Sequence, residues 1–350
     1  RDSIIFSMSL KTTLFSPHEY KSGSDFFICG KSKNFFSRFT SLQRLSLPER
    51  YLRGLTGLLG GMLKETTDLV VPDFVKDTTS YNLFVGNILR FAVENVGGVE
   101  GLYKDDGLGG DYATRKLLGN AIEGVGVATV HISPLWVFAF FADSVKGGQA
   151  YLNRLHAEMV TKGYLDADSE PGSLQELLDG LERTTASFAK NIDVPPLSRK
   201  EVMENIDEIR NSIGELLSNT GRAAEGVTDE VATVMQDFLD TATDEGQSLL
   251  ELGGVMTLQA TARAKQAAGV AVAAPQVAGK MLYENILGYY GDTLADIHEH
   301  GYAAVASETI EPYGNAIMKQ FSGDQETWTE KLFRGSARGL KRVFGMQTSK

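Results

Sequence analysis

The sequence predicts an all-α protein, a multi-helix bundle with helical hairpins behind a disordered N-terminal leader. Three observations carry this. Capping boxes, in which Ser precedes Glu by three positions, stand at Ser46/Glu49, Ser173/Glu176 and Ser198/Glu201; the hydroxyl can accept from an early backbone N–H while the carboxylate reaches back to the cap's own N–H. After each box apolar residues recur at steps of three and four, the period of one helix face. Prolines at Pro72, Pro134, Pro195-Pro196 and Pro275 fall where such runs end or begin, the places where a missing N–H and a fixed φ are tolerated.

A chain of 350 residues, 42% hydrophobic and 23% charged, is long and apolar enough to bury a core, which excludes disorder throughout. The single cysteine, Cys29, rules out an intrachain disulfide and a thiolate metal cluster and fits a reducing compartment. The net charge of −11 is segregated: residues 1–53 carry nine basic and four acidic residues, residues 331–350 six and none, and residues 54–330 nineteen and 41. So acidic a body repels nucleic acid, whereas the basic ends suit an anionic surface or the body itself.

Residues 1–45 are rich in Ser, Phe and Lys, hold no helical period and form the predicted disordered or poorly ordered leader. They overlap in character with organelle transit peptides, lack the compact apolar core of a secretory signal, and read equally as sequence upstream of a start at Met8 or Met62. From Ser46 to residue 330 a single α-helical body is expected. Its first helix carries Leu52, Leu55, Leu58, Leu59, Leu63 and Val70, interrupted by Gly60-Gly61 and ended by Pro72. A second helix, 81–96, places Tyr81, Phe84, Val85, Ile88, Phe91 and Val96 on one broad face. The glycine-rich stretch 96–111 has neither the alternating acidic ligands of a calcium loop nor the Gly-Lys-Ser/Thr of a phosphate loop, and reads as a plain connection.

GVGVATVHISPLWVFAFFA, residues 124–142, runs without a formal charge. One straight helix of that length falls just short of a bilayer core of about 30 Å, but Ser133-Pro134 sits in its middle and predicts two helices, 111–130 and 134–162, the second closing on Lys162-Gly163. Three settings fit such a hairpin: a buried pair in a core, a monotopic hairpin dipping Leu135, Trp136, Phe138, Phe140 and Phe141 into one leaflet, or a span. His131 reads as a hydrogen-bonded core histidine.

Beyond the box at Ser173, Leu174, Leu177, Leu178, Leu181, Phe188 and Ile192 mark a helix to Pro195. Val202, Ile206, Ile209, Ile213 and Leu216 then form a seam of two heptads, with Val227, Val231, Val234, Phe238 and Ala242 as its natural antiparallel partner; this seam at 202–242 offers self-association or a soluble scaffold. Residues 253–280 shrink to Gly, Ala and Val, which lets backbones approach closely. Tyr283, Tyr289, Tyr290, Tyr302 and Tyr313 suit either the wet margin of a core or a membrane interface. His298 and His300 stand about 200° apart on a helix and cannot easily share an ion, Ser187/Lys190 is an SxxK without its companion segments, and no triad stands out. The expectation is therefore a non-enzymatic chain with no cofactor and no metal.

The segment 331–350 is a basic amphipathic tail. Leu332, Phe333, Ala337, Leu340, Val343 and Phe344 share one helical side, and Lys331, Arg334, Arg338, Lys341 and Arg342 take the other. Apolar burial plus cations is the pattern of an interfacial helix, weakened here by Gly335 and Gly339; the same tail could dock on the acidic body. The wording NILRFAVENVGGVEG, HISPLWVFAFFADSVKGG and LLDGLERTTASFAKNIDVPPLS, over roughly 70–335, resembles a group of uncharacterised bacterial helical proteins and, more faintly, the EcsC-like membrane-associated proteins. That resemblance implies a cytoplasmic bacterial protein peripheral to the inner membrane, accessory to other membrane proteins, with no catalytic residue to carry over. An anionic membrane surface or a membrane protein is the expected partner.

Overall fold

The computed structural model describes residues 46–70, 110–129, 132–170, 172–189, 224–268, 275–320 and 326–334. The leader 1–45, the helix expected at 81–96, His131, the first half of the seam at 198–216, and tail residues Arg338, Lys341, Arg342 and Phe344 lie outside them. Among the described residues there are helices and no strands, so the all-α prediction holds. The helices are α1 (Leu47–Val70), α2 (Gly110–Ala128), α3 (Pro134–Phe141), α4 (Gly148–Thr161), α5 (Leu174–Ala189), α6 (Ala224–Asp244), α7 (Leu249–Ala268), α8 (Pro275–His300) and α9 (Tyr302–Gln320). A further run at 328–334 is α10.

The bundle is organised around α7, which packs on α1, α2, α3, α4, α6, α8 and α9. Leu249, Leu250, Leu252, Val255, Met256, Leu258, Ala260 and Ala264 are all buried, so the helix is covered on every side along most of its length. A helix enclosed in this way needs thin side chains and satisfied hydroxyls. Gly254 lies directly against α2: a Cβ there would sit 2.0 Å from the carbonyl oxygen of Ile122, and one at Gly126 would sit 3.0 Å from the Gly254 nitrogen. Thr257 and Thr261 donate to the carbonyls of Gly253 and Thr257 at 2.7 and 2.8 Å, which removes their polarity from the core without a partner helix. The small-residue stretch is thus the central post of the bundle.

The oily segment 124–142 breaks where Pro134 predicts. Ser133, in extended backbone, caps α3 by accepting from Leu135 N, and Pro134 takes the first turn. Carbonyls on either side of the break accept from aromatic side chains: Trp136 Nε1 donates to Val127 O at 3.0 Å, Tyr151 Oη to Leu135 O at 2.7 Å, and Tyr290 Oη to Ile132 O. Phe138 then stacks edge-on to Tyr151 and Tyr290, with centroids 5.9 Å away in each case, and lies 5.5 Å from Phe238. Leu135, Trp136, Phe138 and Phe140 are 1%, 0%, 0% and 5% exposed, and Phe141 is partly buried against the same core. These five were candidates for lipid or partner contact; the structure corrects that, because α4, α6, α7 and α8 supply the apolar surroundings that a leaflet would otherwise supply. Among the described residues no helix is long and apolar enough to cross a membrane.

Other expectations change in detail. The helix expected over 134–162 is two helices, because the chain turns through 142–147. Gly147 takes a φ of 87°, and a Cβ on Gly148 would fall 1.9 Å from Ala142 O, so only glycine passes there. The stop at Lys162-Gly163 is observed: Gly163 N and Tyr164 N donate back to Val160 O and Met159 O at 3.0 and 2.8 Å, a Schellman closure. At α5 the box is half-made, Ser173 Oγ accepting from Glu176 N at 3.2 Å. In α6, Val227, Val231, Phe238 and Ala242 of the expected seam are buried, together with Met235, and Val234 is partly buried, as α6 packs on α8, α7 and α3. That half of the proposed seam is therefore spent on the protein's own core.

Gly60 and Gly61 do not interrupt α1, which is continuous. A Cβ at Gly61 meets nothing within 4 Å. Gly61→Ala is therefore expected to raise stability by roughly 0.5–1 kcal/mol, through reduced freedom of the unfolded chain and better helix propensity; a lowered thermal midpoint would contradict this.

Candidate functional site

The first turn of α1 and the start of α10, some 280 residues apart, bind each other through side chains that cap helices. Thr327 and Glu330 form a capping box: Glu330 N donates to Thr327 Oγ1 at 3.3 Å and Thr327 N to Glu330 Oε2 at 3.4 Å. The next two N–H groups, Trp328 and Thr329, donate to the Glu49 carboxylate at 2.8 and 2.9 Å. All the orphan donors at this helix start therefore have acceptors, and Glu49 adds its charge at the positive end of the helix dipole. Glu49 was read as the back half of a box with Ser46; its oxygens instead serve α10 and Arg53, the latter at 2.7 Å.

Glu330 completes the junction from the other side. Its Oε1 accepts from Ser46 Oγ at 2.6 Å and from Arg50 Nη2 at 2.9 Å. The side chains of Arg50 and Glu330 are 0% and 3% exposed, so two opposite charges are held out of water. Burial works against ionisation of Glu330, but the bonds from Ser46, Arg50 and the Thr327 backbone outweigh it and hold the carboxyl below its usual value. At Glu49 burial is likewise outweighed, by Thr329, Trp328 and Arg53. Thr327-Trp-Thr-Glu330 carries the same Ser/Thr-x-x-Glu spacing as the boxes named earlier, and was overlooked as a helix start.

The junction fixes what α10 shows to solvent. Trp328, Leu332 and Phe333 are 74%, 71% and 48% exposed, and they are the exposed large hydrophobic side chains among the described residues. Trp328 and Leu332 lie one turn apart on the same stripe, with Phe333 flanking it. Lys331 Nζ sits 5.7 Å from the Trp328 ring centroid, and Arg334 pairs with Glu326. Of the tail residues singled out from sequence, Lys331, Phe333 and Arg334 are thus placed together on α10. Trp328, outside the segment assigned to the tail, is the largest apolar group in the cluster.

A second polar cluster lies inside the body. Glu123 of α2 is 1% exposed in its side chain and ion-pairs with Lys162 at the end of α4. Burial raises the Glu123 carboxyl above its usual value despite Lys162, and Glu251 and Glu158 push the same way. Burial also raises Glu158, which accepts from Leu249 N at 2.6 Å and pairs with Arg154 at 3.3 Å. An acid whose folded value is raised binds more protons folded than unfolded, so its contribution to stability falls as pH rises above 4.5, the unfolded value. Glu123→Gln is accordingly expected to leave stability at pH 7 unchanged or higher and to flatten its decline between pH 4.5 and 7; a clear loss at pH 7 in thermal unfolding would contradict this.

His298 is turned to Thr241 Oγ1 at 3.0 Å and His300 to the Asp296 carbonyl at 3.2 Å. Among the described residues no three His, Cys, Asp or Glu side chains are grouped to hold a metal ion. No family model matches the chain, and no curated protein or solved structure matches it at a significant level.

Proposed function

We propose that this is a non-enzymatic, peripherally membrane-associated helical protein, which contacts an anionic lipid surface through α10 and the basic amphipathic segment that follows, and acts as an accessory to membrane proteins on the cytoplasmic face of a bacterial inner membrane. The observation that carries the reading is the placement of Trp328, Leu332 and Phe333 in solvent, beside Lys331, at the head of a segment with six basic and no acidic residues over 331–350. Aromatic and aliphatic groups enter the interfacial layer, and lysines and arginines add about 1 kcal/mol each near an anionic surface. The junction with α1 supports this reading by pinning the start of the helix, so that its apolar stripe has a fixed outward direction. The rival reading, a scaffold using the 202–242 seam, has less support, since α6 directs its half of that seam inward.

The test is co-sedimentation of the full chain with phosphatidylcholine vesicles containing 30% phosphatidylglycerol, a composition chosen on the order of natural anionic content. Trp328→Ser/Leu332→Ser/Phe333→Ser is expected to lower vesicle binding at least about 30-fold while shifting stability by less than about 0.5 kcal/mol, because the three side chains are exposed. Retained binding by the triple variant, or no binding by the parent chain at low salt, would overturn the proposal.

A further inference from the structure

Three helices bring carboxyl groups into one largely dry region of the body. Glu158 of α4 has both oxygens engaged, by Leu249 N at 2.6 Å and Arg154 Nε at 3.3 Å, and Glu251 in the first turn of α7 is partly exposed. Glu251 lies against α2 one turn from Glu123, since a Cβ on Gly119 would stand 3.4 Å from its Oε1. Glu123 is the enclosed member of the three, 1% exposed in its side chain. Its Oε1 accepts from Lys162 Nζ, while its Oε2 is buried with no hydrogen-bond partner among the described residues. Tyr164 and Tyr302 complete the surroundings: burial raises both hydroxyls, and the acids add to it, Glu123 at Tyr164, Glu251 and then Glu123 at Tyr302.

We propose that Glu123 is an internal proton-binding site: in the closed fold its Oε2 carries a proton at neutral pH, and loss of that proton at higher pH opens the segment 162–170 away from α2 and α7. A dry carboxylate oxygen with no donor has lost its hydration uncompensated, whereas the neutral hydroxyl that replaces it loses much less. The charges facing Glu123 favour the neutral form. Glu251 and Glu158 repel a third negative charge, and Lys162, which attracts one, is 36% exposed and screened by water. Arg154 is held by Glu158, and His156 is turned to Ser169 Oγ at 2.9 Å. α3 has no ionisable side chain. The charges of α1 are turned elsewhere, Arg50 to Glu330, Glu49 to Arg53 and Glu65 to Lys265, with Lys64 exposed. Burial raises the Glu123 carboxyl, Lys162 lowers it, and Glu251 and Glu158 raise it again. Folding therefore takes up a proton, and the stability drawn from it is full below 4.5 and is lost as pH rises through the folded value. The loop yields before the helices because α2 and α7 meet backbone to backbone at Gly126 and Gly254. Lys162 and Tyr164, by contrast, stand on a turn held by Gly163 at a φ of 77°. This site involves no lipid contact and stands apart from the membrane reading.

Infrared spectroscopy of the full chain in heavy water reads the proton directly. At pH 7 the parent should show the C=O band of a protonated carboxyl, Glu123→Gln should lack it, and the band should fade as pH is raised. Tryptic cleavage after Lys162, followed by mass spectrometry and normalised at each pH to an unstructured lysine peptide, reads the opening. It should rise up to about tenfold per pH unit in the parent once the proton is lost, and stay level in Glu123→Gln. Glu251→Gln removes a repelling charge at a partly exposed position and should move both transitions to lower pH. If Glu123→Gln does not fold, the parent's band and its displacement in Glu251→Gln decide the matter. A parent without the band at pH 7, or a band retained in Glu123→Gln, overturns the proton site. Cleavage that rises equally in parent and Glu123→Gln overturns the coupling to the loop. Transitions unmoved by Glu251→Gln overturn the charge balance that places the proton there.

Discussion

Glu330→Ala is expected to cost roughly 3–5 kcal/mol, the range for removing one partner of a buried ion pair. The reason lies with Arg50, whose side chain is fully buried beside Glu330 and would lose the carboxylate to which its Nη2 donates at 2.9 Å. Ser46 Oγ also loses its acceptor, and the capping box at Thr327 loses the oxygen that receives the Thr327 N–H. Urea unfolding reads the loss, and hydrogen exchange at the α10 amides tells whether α10 detaches before the body unfolds. An unchanged midpoint with unchanged protection would refute it. Arg50→Met/Glu330→Leu is expected to recover most of the loss, since apolar replacements of similar size remove both desolvation penalties at once.

Acid has the same target. Glu330 and Glu49 are both held below 4.5 in the folded chain. A depressed acid stabilises the fold above its unfolded value and loses that contribution as pH falls through its folded one. The docking of α10 on α1 should therefore weaken below pH 4.5, not above it, and in the Arg50→Met/Glu330→Leu chain that acid sensitivity should shrink to the share carried by Glu49.

Gly254→Val is the second large effect, a loss of about 3 kcal/mol or more. A Cβ at this position would lie 2.0 Å from the Ile122 carbonyl oxygen and 2.7 Å from its carbon. Backbone cannot yield as a flexible side chain can, so α2 and α7 must separate. Because α7 packs on seven other helices, their separation loosens contacts well beyond the substituted residue. Gly126→Ala, whose Cβ would stand 3.0 Å from Gly254 N, should cost less, and the two changes should not add, since both act on one crossing. Circular dichroism melts and recovery of soluble protein measure both; a Gly254→Val chain that melts like its parent would remove α7 from the centre of the bundle.

Much of the helical plan was legible because it is local. A helix is closed by bonds from residue i to i−4, so caps, stops and apolar periodicity lie within a few residues of what they control. That is why Pro134 marked the start of α3, Gly163 the end of α4, and Ser173 the start of α5. The turn at 142–147 is signalled in the sequence by Gly147-Gly148 alone, because the apolar run before it, Pro134–Phe141, has no preferred face to show the break. For the candidate site, the amphipathic pattern from Lys331 onward could be read directly. The capping box at Thr327 could have been, and would have drawn Trp328 into the cluster.

By itself, then, the sequence determined that this chain is helical, where several of its helices begin and end, and that its basic charge gathers at residues 1–53 and 331–350. Only the tertiary structure decided what the helices bury and how the start of α10 is held against α1. A run such as Pro134–Phe141 is equally compatible with lipid and with a protein interior, since both are apolar media and periodicity cannot distinguish them. Arg50 and Glu330 are 280 residues apart, and no local period encodes such a pair; long-range packing had to exclude water from both charges before either could specify where α10 is held.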